Sequence, residues 1–348
     1  MDQAQWLAQR FEQDRPHLRA VAYRLLGSLS EADDAVQEAW LRLSRAGASG
    51  VDNLTGWLTT VVGRVCLDMI RSRAARREEP LAVHVPDAVV SCEDATDPEH
   101  QALLAESVGL ALLVVLQTLA PAERLAFVLH DMFAVPYDQI ADIIGRSPNA
   151  ARLLASRARR RVRAAAAVPD PDLTRQRQVV DAFLAASRAG DFEALVALLD
   201  PEVVVRADYG TMPMGASRQV SGARTVAERA LSFSRLIPFA RPALVNGAAG
   251  VVVARGGQPV TLMGFTVSRG KITEIDILAD PARLRHLAPS TSNCPSRSSL
   301  LADIGDNARY PLMVSAGGSA RDGAVRQHGQ AAGQQADRAV RGGSDRDG

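Results

Sequence analysis

The chain has 348 residues, 47% of them hydrophobic and 23% charged, and its 40 basic and 39 acidic residues leave a net charge of +1. That length points to about two domains, and the near-neutral balance excludes nucleic-acid binding by bulk charge, so any such role has to rest on local placement. Cys66, Cys92 and Cys294 lack metal-ligand spacing and fit a reduced cytoplasm. The N-terminus has no signal-peptide pattern, and the apolar run Val108 to Leu119 is too short to cross a bilayer. The sequence reads as a cytoplasmic protein without membrane association, metal or cofactor.

In chain order, Pro16 to Leu26 predicts a helix with Pro16 in its first turn and Leu18, Val21, Ala22 and Leu25 on one side. Ser30 is the expected cap of the next helix, whose inward seam is Ala32, Ala35, Val36, Ala39 and Leu43. Its other face carries Asp33, Asp34, Gln37, Glu38 and Arg42. After a Gly/Ser/Asn-rich loop at Gly47 to Gly56 comes a third helix, running to Arg77. One stripe is apolar (Leu54, Leu58, Val61, Val62, Val65, Met69), and a second face carries Trp57, Thr60, Arg64 and Arg71. It ends in an arginine cluster that includes Arg73 and Arg76. Such a helix can stack bases and neutralise phosphates; read alone, it is equally a surface helix with a basic end.

Residues 79–100, proline-containing and acidic, predict a poorly ordered or extended linker. A long helix to about Leu119 follows, then one opened by Pro121 and reaching about Met132. A short helix around Ile140, Ala141 and Ile144 is broken by Gly145, and Ser147-Pro148 then caps a helix with Ala151, Ala155, Ala158 and Val162 inward. Two helices joined by a glycine turn, the second ending in five arginines within Arg157 to Arg163, form a candidate helix-turn-helix. Ser147, Asn149, Arg152, Leu153, Ser156, Arg157, Arg159 and Arg160 would then face base edges and phosphates. The alternative is an ordinary helical hairpin with a charged end.

Past residue 171, two helices split by Ala189-Gly190-Asp191 precede a strand at Pro201 to Ala207, a helix at Arg224 to Leu231, and strands at Ala243 to Val245, Gly250 to Ala254, Val260 to Val267 and Lys271 to Leu278. This predicts a curved sheet over helices. The fold class is multidomain: two all-α units, a helical bundle (8–78) and a helix-turn-helix (101–167), then an α+β domain (174–288) and a disordered tail (289–348).

Asp33-Asp34-Ala-Val-Gln37-Glu38-Ala-Trp40-Leu-Arg42-Leu resembles the core-polymerase-binding helix of sigma-70 RNA polymerase sigma factors of the extracytoplasmic-function (ECF) group. Trp57-Leu58 through Asp68 and the arginine run resembles their segment that melts and holds the −10 promoter element. Residues 117–163 are similar to their −35-reading domain, and 174–288 to the cone-shaped SnoaL-like domain fused to one sigma subgroup. The resemblance implies core RNA polymerase and promoter DNA, melted at −10 and duplex at −35, as partners. It assigns Asp33, Asp34, Gln37, Glu38 and Arg42 to the polymerase, and Trp57, Thr60, Arg64, Arg71, Arg73 and Arg76 to the separated strand. It also implies control in cis by the SnoaL-like domain through Asp208 and the segment Asp280, Pro281, Arg283, Leu284, with a small apolar ligand a candidate occupant of its cone and no catalysis; the candidates such a cone offers for a general base, Asp181, Asp208, Tyr209 and Asp276, are not paired by spacing. Other readings left open are a helix-turn-helix regulator with a ligand-sensing domain and a SnoaL-like isomerase or cyclase with a DNA-binding appendage.

Overall fold

A computed structural model describes residues 3–46, 53–76, 84–91, 108–165, 168–210, 218–256 and 258–285. Its first helix, α1 (Gln3–Leu26), starts well before the predicted boundary and takes Pro16 into its interior. Proline removes a helical hydrogen bond, but Leu7 and Phe11 before it are buried with Leu18 and Val21 after it, so packing carries the helix across. Helix α2 (Leu29–Ala46) buries Ala32, Ala35, Val36, Ala39 and Leu43, as its spacing predicts. Its cap differs. Ser30 lies inside the helix, Ser28 Oγ stands 3.5 Å from the Glu31 N–H, and the Leu29 N–H donates to Asp87 Oδ2 at 2.8 Å. The free donors at a helix start take whatever acceptor the tertiary fold supplies, here one distant in sequence. Helix α3 (Leu54–Arg76) opens on Asn53, whose Oδ1 accepts from the Gly56 N–H at 3.0 Å. Gly56 is thus helical; residues 47–52 of the predicted loop, and Arg77, lie outside the described residues.

The predicted linker is partly built into the fold. Residues 84–91 are extended, with Val85, Ala88, Val89 and Val90 buried, and β1 (Val90–Ser91) pairs antiparallel with Val245 and Leu244. Its remainder, 79–83 and 92–100, lies outside the described residues.

The second helical unit comprises α4 (Leu110–Thr118), α5 (Pro121–Phe127) continuing as a π-helical turn (Val128–Met132), α6 (Tyr137–Ile144) and α7 (Pro148–Ala165). Gly145 closes α6 at φ +67°, the left-handed conformation a glycine adopts without strain. One apolar core runs through both helical units. Gly63 sets the approach between them: a Cβ there would stand 3.2 Å from Leu129 Cδ1 and 3.4 Å from Ile143 Cδ1.

The C-terminal unit follows the predicted order with two additions, β3 and a 3-10 turn: α8 (Leu173–Ala189), α9 (Phe192–Leu198), β2 (Leu199–Asp208), β3 (Arg218–Ser221), α10 (Ala223–Ser232), the 3-10 turn (Ser234–Phe239), β4 (Ala240–Val245), β5 (Ala248–Arg255), β6 (Gln258–Ser268) and β7 (Lys271–Leu278). The seven-stranded sheet runs β1-β4-β5-β6-β7-β2-β3. The β4–β7 meander is antiparallel as expected, whereas β7 pairs in parallel with β2, a contact with no hairpin signal to announce it. On the face toward α8, Val251, Val253, Phe265, Val267 and Ile275 pack on Val180, Phe183 and Leu184. The opposite face, with Val252, Leu262 and Leu278, joins the helical core. Residues 281–285 add a helical turn; the predicted tail, 289–348, lies outside the described residues.

Candidate functional site

On α2, Asp33, Asp34 and Gln37 are exposed, and Glu38 and Arg42 are half-buried and joined by a 3.0 Å ion pair. Arg19 grips Asp33 with two bonds, Nε to Oδ1 at 2.6 Å and Nη2 to Oδ2 at 3.1 Å. The acidic face is therefore intact as a surface, with part of its charge already matched.

The α3 residues do not form one open surface. Trp57 packs partly on the core, and the Thr60 hydroxyl donates to Gly56 O at 3.0 Å, bonding its own helix. Arg71 is exposed; Arg64 is exposed too, with Nη2 3.3 Å from Asp142 O in α6. Arg73 pairs with Glu31 at 3.1 Å and donates to Leu26 O, so in this conformation its charge is matched inside the bundle. Arg76 is the last residue of the helix.

On the helix-turn-helix, Ser147 Oγ accepts from the Ala150 N–H at 3.3 Å, as a cap should. Asn149, Arg152 and Leu153 are exposed at the start of α7. Arg152 lies over the Tyr137 ring at 5.3 Å, and Ser156 is half-buried. Arg157 and Arg160 are exposed, but Arg159 is held by Asp131 at 2.6 Å and is not free for phosphate in this conformation.

The third cluster ties the linker to the C-terminal unit. Arg283 donates to Asp87 Oδ1 at 2.5 Å, Asp208 Oδ2 at 2.8 Å and Val85 O at 2.6 Å. Asp208 Oδ2 also accepts from the Val85 N–H at 3.1 Å and faces His84 Nδ1 at 3.2 Å. Burial opposes the Asp208 charge, but the bonds from His84 and the Gly210 N–H, together with Arg283, hold its carboxyl below the usual range. Asp280 caps the turn at 281–285 and lies against Gly210, where a Cβ would come within 2.6 Å of its Cγ. Pro281 is exposed, and Leu284 is buried in the helical core.

Two residues complete this seam without having been anticipated. Asp87 accepts from Leu29 and Arg283, and its backbone N–H donates to Gly27 O, fixing the linker on the α1–α2 corner. Asn246 receives the Val89 N–H on Oδ1 at 2.8 Å and donates Nδ2 to Tyr23 Oη and Val108 O, both at 3.0 Å. The Asn246-Gly247 pair is a recognisable hairpin signal; that its side chain would turn back onto the linker is not readable from that dipeptide.

Of the candidate general bases, Asp181 is exposed, Tyr209 is half-buried and Asp208 is engaged as above. Asp276 is buried and pairs with Arg206 at 3.0 Å, which also holds Glu274 at 3.1 Å. Burial pushes the Asp276 carboxyl up to about 6 against the pull of Arg206, and Glu274 raises it further. A raised carboxyl favours the folded state while protonated, so its contribution is complete below the unfolded value of about 4 and is lost as pH rises through the folded one. Asp276→Asn should flatten this loss in urea denaturation followed across pH; an unaltered slope would refute it. Among the described residues no group of three His, Cys, Asp or Glu is placed to hold a metal ion, and no helix is long and apolar enough to cross a membrane.

Sigma-70 region 2 matches residues 10–76, the bundle with the acidic and arginine-bearing faces, and Sigma-70, region 4 matches residues 109–162, the unit with the helix-turn-helix. The chain is 41% identical over 286 residues to the ECF RNA polymerase sigma factor SigJ of Mycobacterium tuberculosis, covering 78% of this chain and 91% of that one. This chain belongs to the ECF sigma factors. The sigma factor is also 37% identical over 275 residues to the probable ECF RNA polymerase sigma factor SigI of the same organism, covering 78% of this chain and 92% of that one. The crystal structure of M. tuberculosis SigJ superposes with a TM-score of 0.66 at 37% identity, over 80% of this chain and 98% of that one. The match therefore extends beyond the two helical units into the α+β domain.

Proposed function

We propose that this sigma factor joins core RNA polymerase through the Asp33, Asp34, Gln37, Glu38 and Arg42 face of α2 and directs it to promoters. Trp57, Thr60, Arg64 and Arg71 hold the separated strand at −10, with Arg73 and Arg76 at the basic end of the same helix. Arg152, Asn149 and Ser156 read the −35 duplex, and Ser147, Leu153, Arg157, Arg159 and Arg160 seat α7 on it. The C-terminal domain regulates this in cis and is not an enzyme. The proposed domain limits remain 8–78, 101–167 and 174–288.

The observation that carries the reading is the packing of α3 on α6. Arg64 touches the Asp142 carbonyl, and Gly63 lies against Leu129 and Ile143. A helix that must grip one DNA strand thus leans on the unit that must grip another DNA segment, so promoter engagement needs the two to part. Arg159 and Arg73, both tied to carboxylates, are also charges that such a rearrangement would release.

Transcription reconstituted with core polymerase on a promoter panel tests the assignment. Arg152→Ala should relax the choice among promoters at a cost of about 1–3 kcal/mol on the best one, whereas Arg160→Ala should weaken all of them alike and reduce the salt dependence. Equal losses on every promoter for Arg152→Ala would remove its reading role. Failure of the chain to retain core polymerase would end the whole proposal.

A further inference from the structure

A cavity of about 420 Å³ lies where α4, the end of α7 and residues 168–169 meet the sheet face opposite α8. Its volume is in the range of small-molecule sites, which combine apolar walls with a few convergent polar groups. Leu110 and Val245 are buried side chains on its wall, and Leu112 and Val162 continue it. Gly264 forms part of the lining, and a Cβ there would meet Leu110 Cδ2 at 3.0 Å, so the bare backbone is what keeps α4 this close to the sheet.

Among these apolar groups stands one buried acid, Asp276. Arg206 engages its Oδ1 at 3.0 Å. The same guanidinium already serves Glu274 at 3.1 Å, so two carboxylates share one cation and the cluster carries an excess negative charge. Arg163, the cation on the cavity's lining, is exposed, and water screens its charge more than that of the buried acid. A buried carboxylate with incomplete pairing in an apolar chamber favours a positive partner.

We propose that this cavity binds a small molecule with an apolar body and one ammonium group, the body against Leu110, Leu112 and Val245 and the ammonium at Asp276. Such an occupant touches α4 and α7 of the promoter-reading unit and β4, β6 and β7 of the C-terminal domain together. It therefore stabilises the arrangement in which these elements adjoin over any in which they separate. The site is a property of the folded chain and does not rest on the sigma-factor reading.

Calorimetry on the full chain at neutral pH, with adamantylmethylamine and adamantanecarboxylate as matched probes, tests it. The amine should bind at least tenfold more tightly than the carboxylate, and Asp276→Asn should abolish that preference. Val168→Trp, at a lining position 80% exposed and so tolerant of change, should weaken the amine by occupying its space. No amine binding at millimolar concentration, equal affinity for the two probes, or an amine affinity untouched by Val168→Trp would each overturn the proposal. The last two comparisons stand even where Asp276→Asn fails to fold.

Discussion

Asn246→Val is expected to cost the folded chain about 4 kcal/mol or more, the largest loss from any single polar side chain in the seam. Asn246 is 3% exposed and holds φ at +50°, a region that asparagine tolerates and a β-branched residue does not. Its amide meets the Val89 N–H, the Tyr23 hydroxyl and the Val108 carbonyl at once. Valine strips the buried Val89 N–H and the half-buried Val108 carbonyl of this partner at about 1–3 kcal/mol each, while the Tyr23 hydroxyl keeps its bond to Asp87 O, and it adds strain of similar size. Asn246→Gly separates the two causes, because it removes the side-chain bonds and relieves the backbone. Urea denaturation of both variants, with hydrogen exchange at Val89, is the measurement. A loss below about 1 kcal/mol for valine would mean that water replaces the lost bonds and that the linker is not pinned there.

The repeating parts of this fold were legible because they obey a local period. The α2 seam and the Gly145 break are each written in consecutive residues, and the structure returns them. So is the β4–β7 meander, whose turns carry their own glycines. What the sequence left unread is long-range. Pro16 looks like a helix start until Leu7 and Phe11 are seen to be buried ahead of it. Val90-Ser91 is too short to announce a strand and becomes one only against Val245 and Leu244. Arg73 and Arg159 sit in the basic runs that suggested phosphate contact, yet each has a carboxylate partner supplied by another helix. The segment around Asp280 and Arg283 was legible as an interface by resemblance. Its partner Asp87 was not, since one acid in an acidic linker has no distinguishing pattern.

Arg283→Ala should separate stability from regulation. The guanidinium bridges Asp87 and Asp208 while bonding Val85 O, and all three side chains are largely shielded, at 18%, 14% and 6% exposure. Removing the cation leaves two carboxylates close together without their shared partner, which for buried pairs costs about 3–5 kcal/mol; His84 at 3.2 Å from Asp208 offsets part of this when protonated. Arg283→Ala with Asp87→Ala should recover much of the cost, because the stranded charge goes with its partner. In reconstituted transcription the single variant should raise output from a fixed promoter, since it removes one of the ties by which residues 84–91 hold the α1–α2 corner to the C-terminal domain. Lower output from a folded Arg283→Ala protein that still retains core polymerase would show that the seam supports the active arrangement instead of opposing it. The same measurement on Arg285→Ala, an exposed neighbour on that helical turn with no ion pair among the described residues, sets the baseline for a change of charge alone.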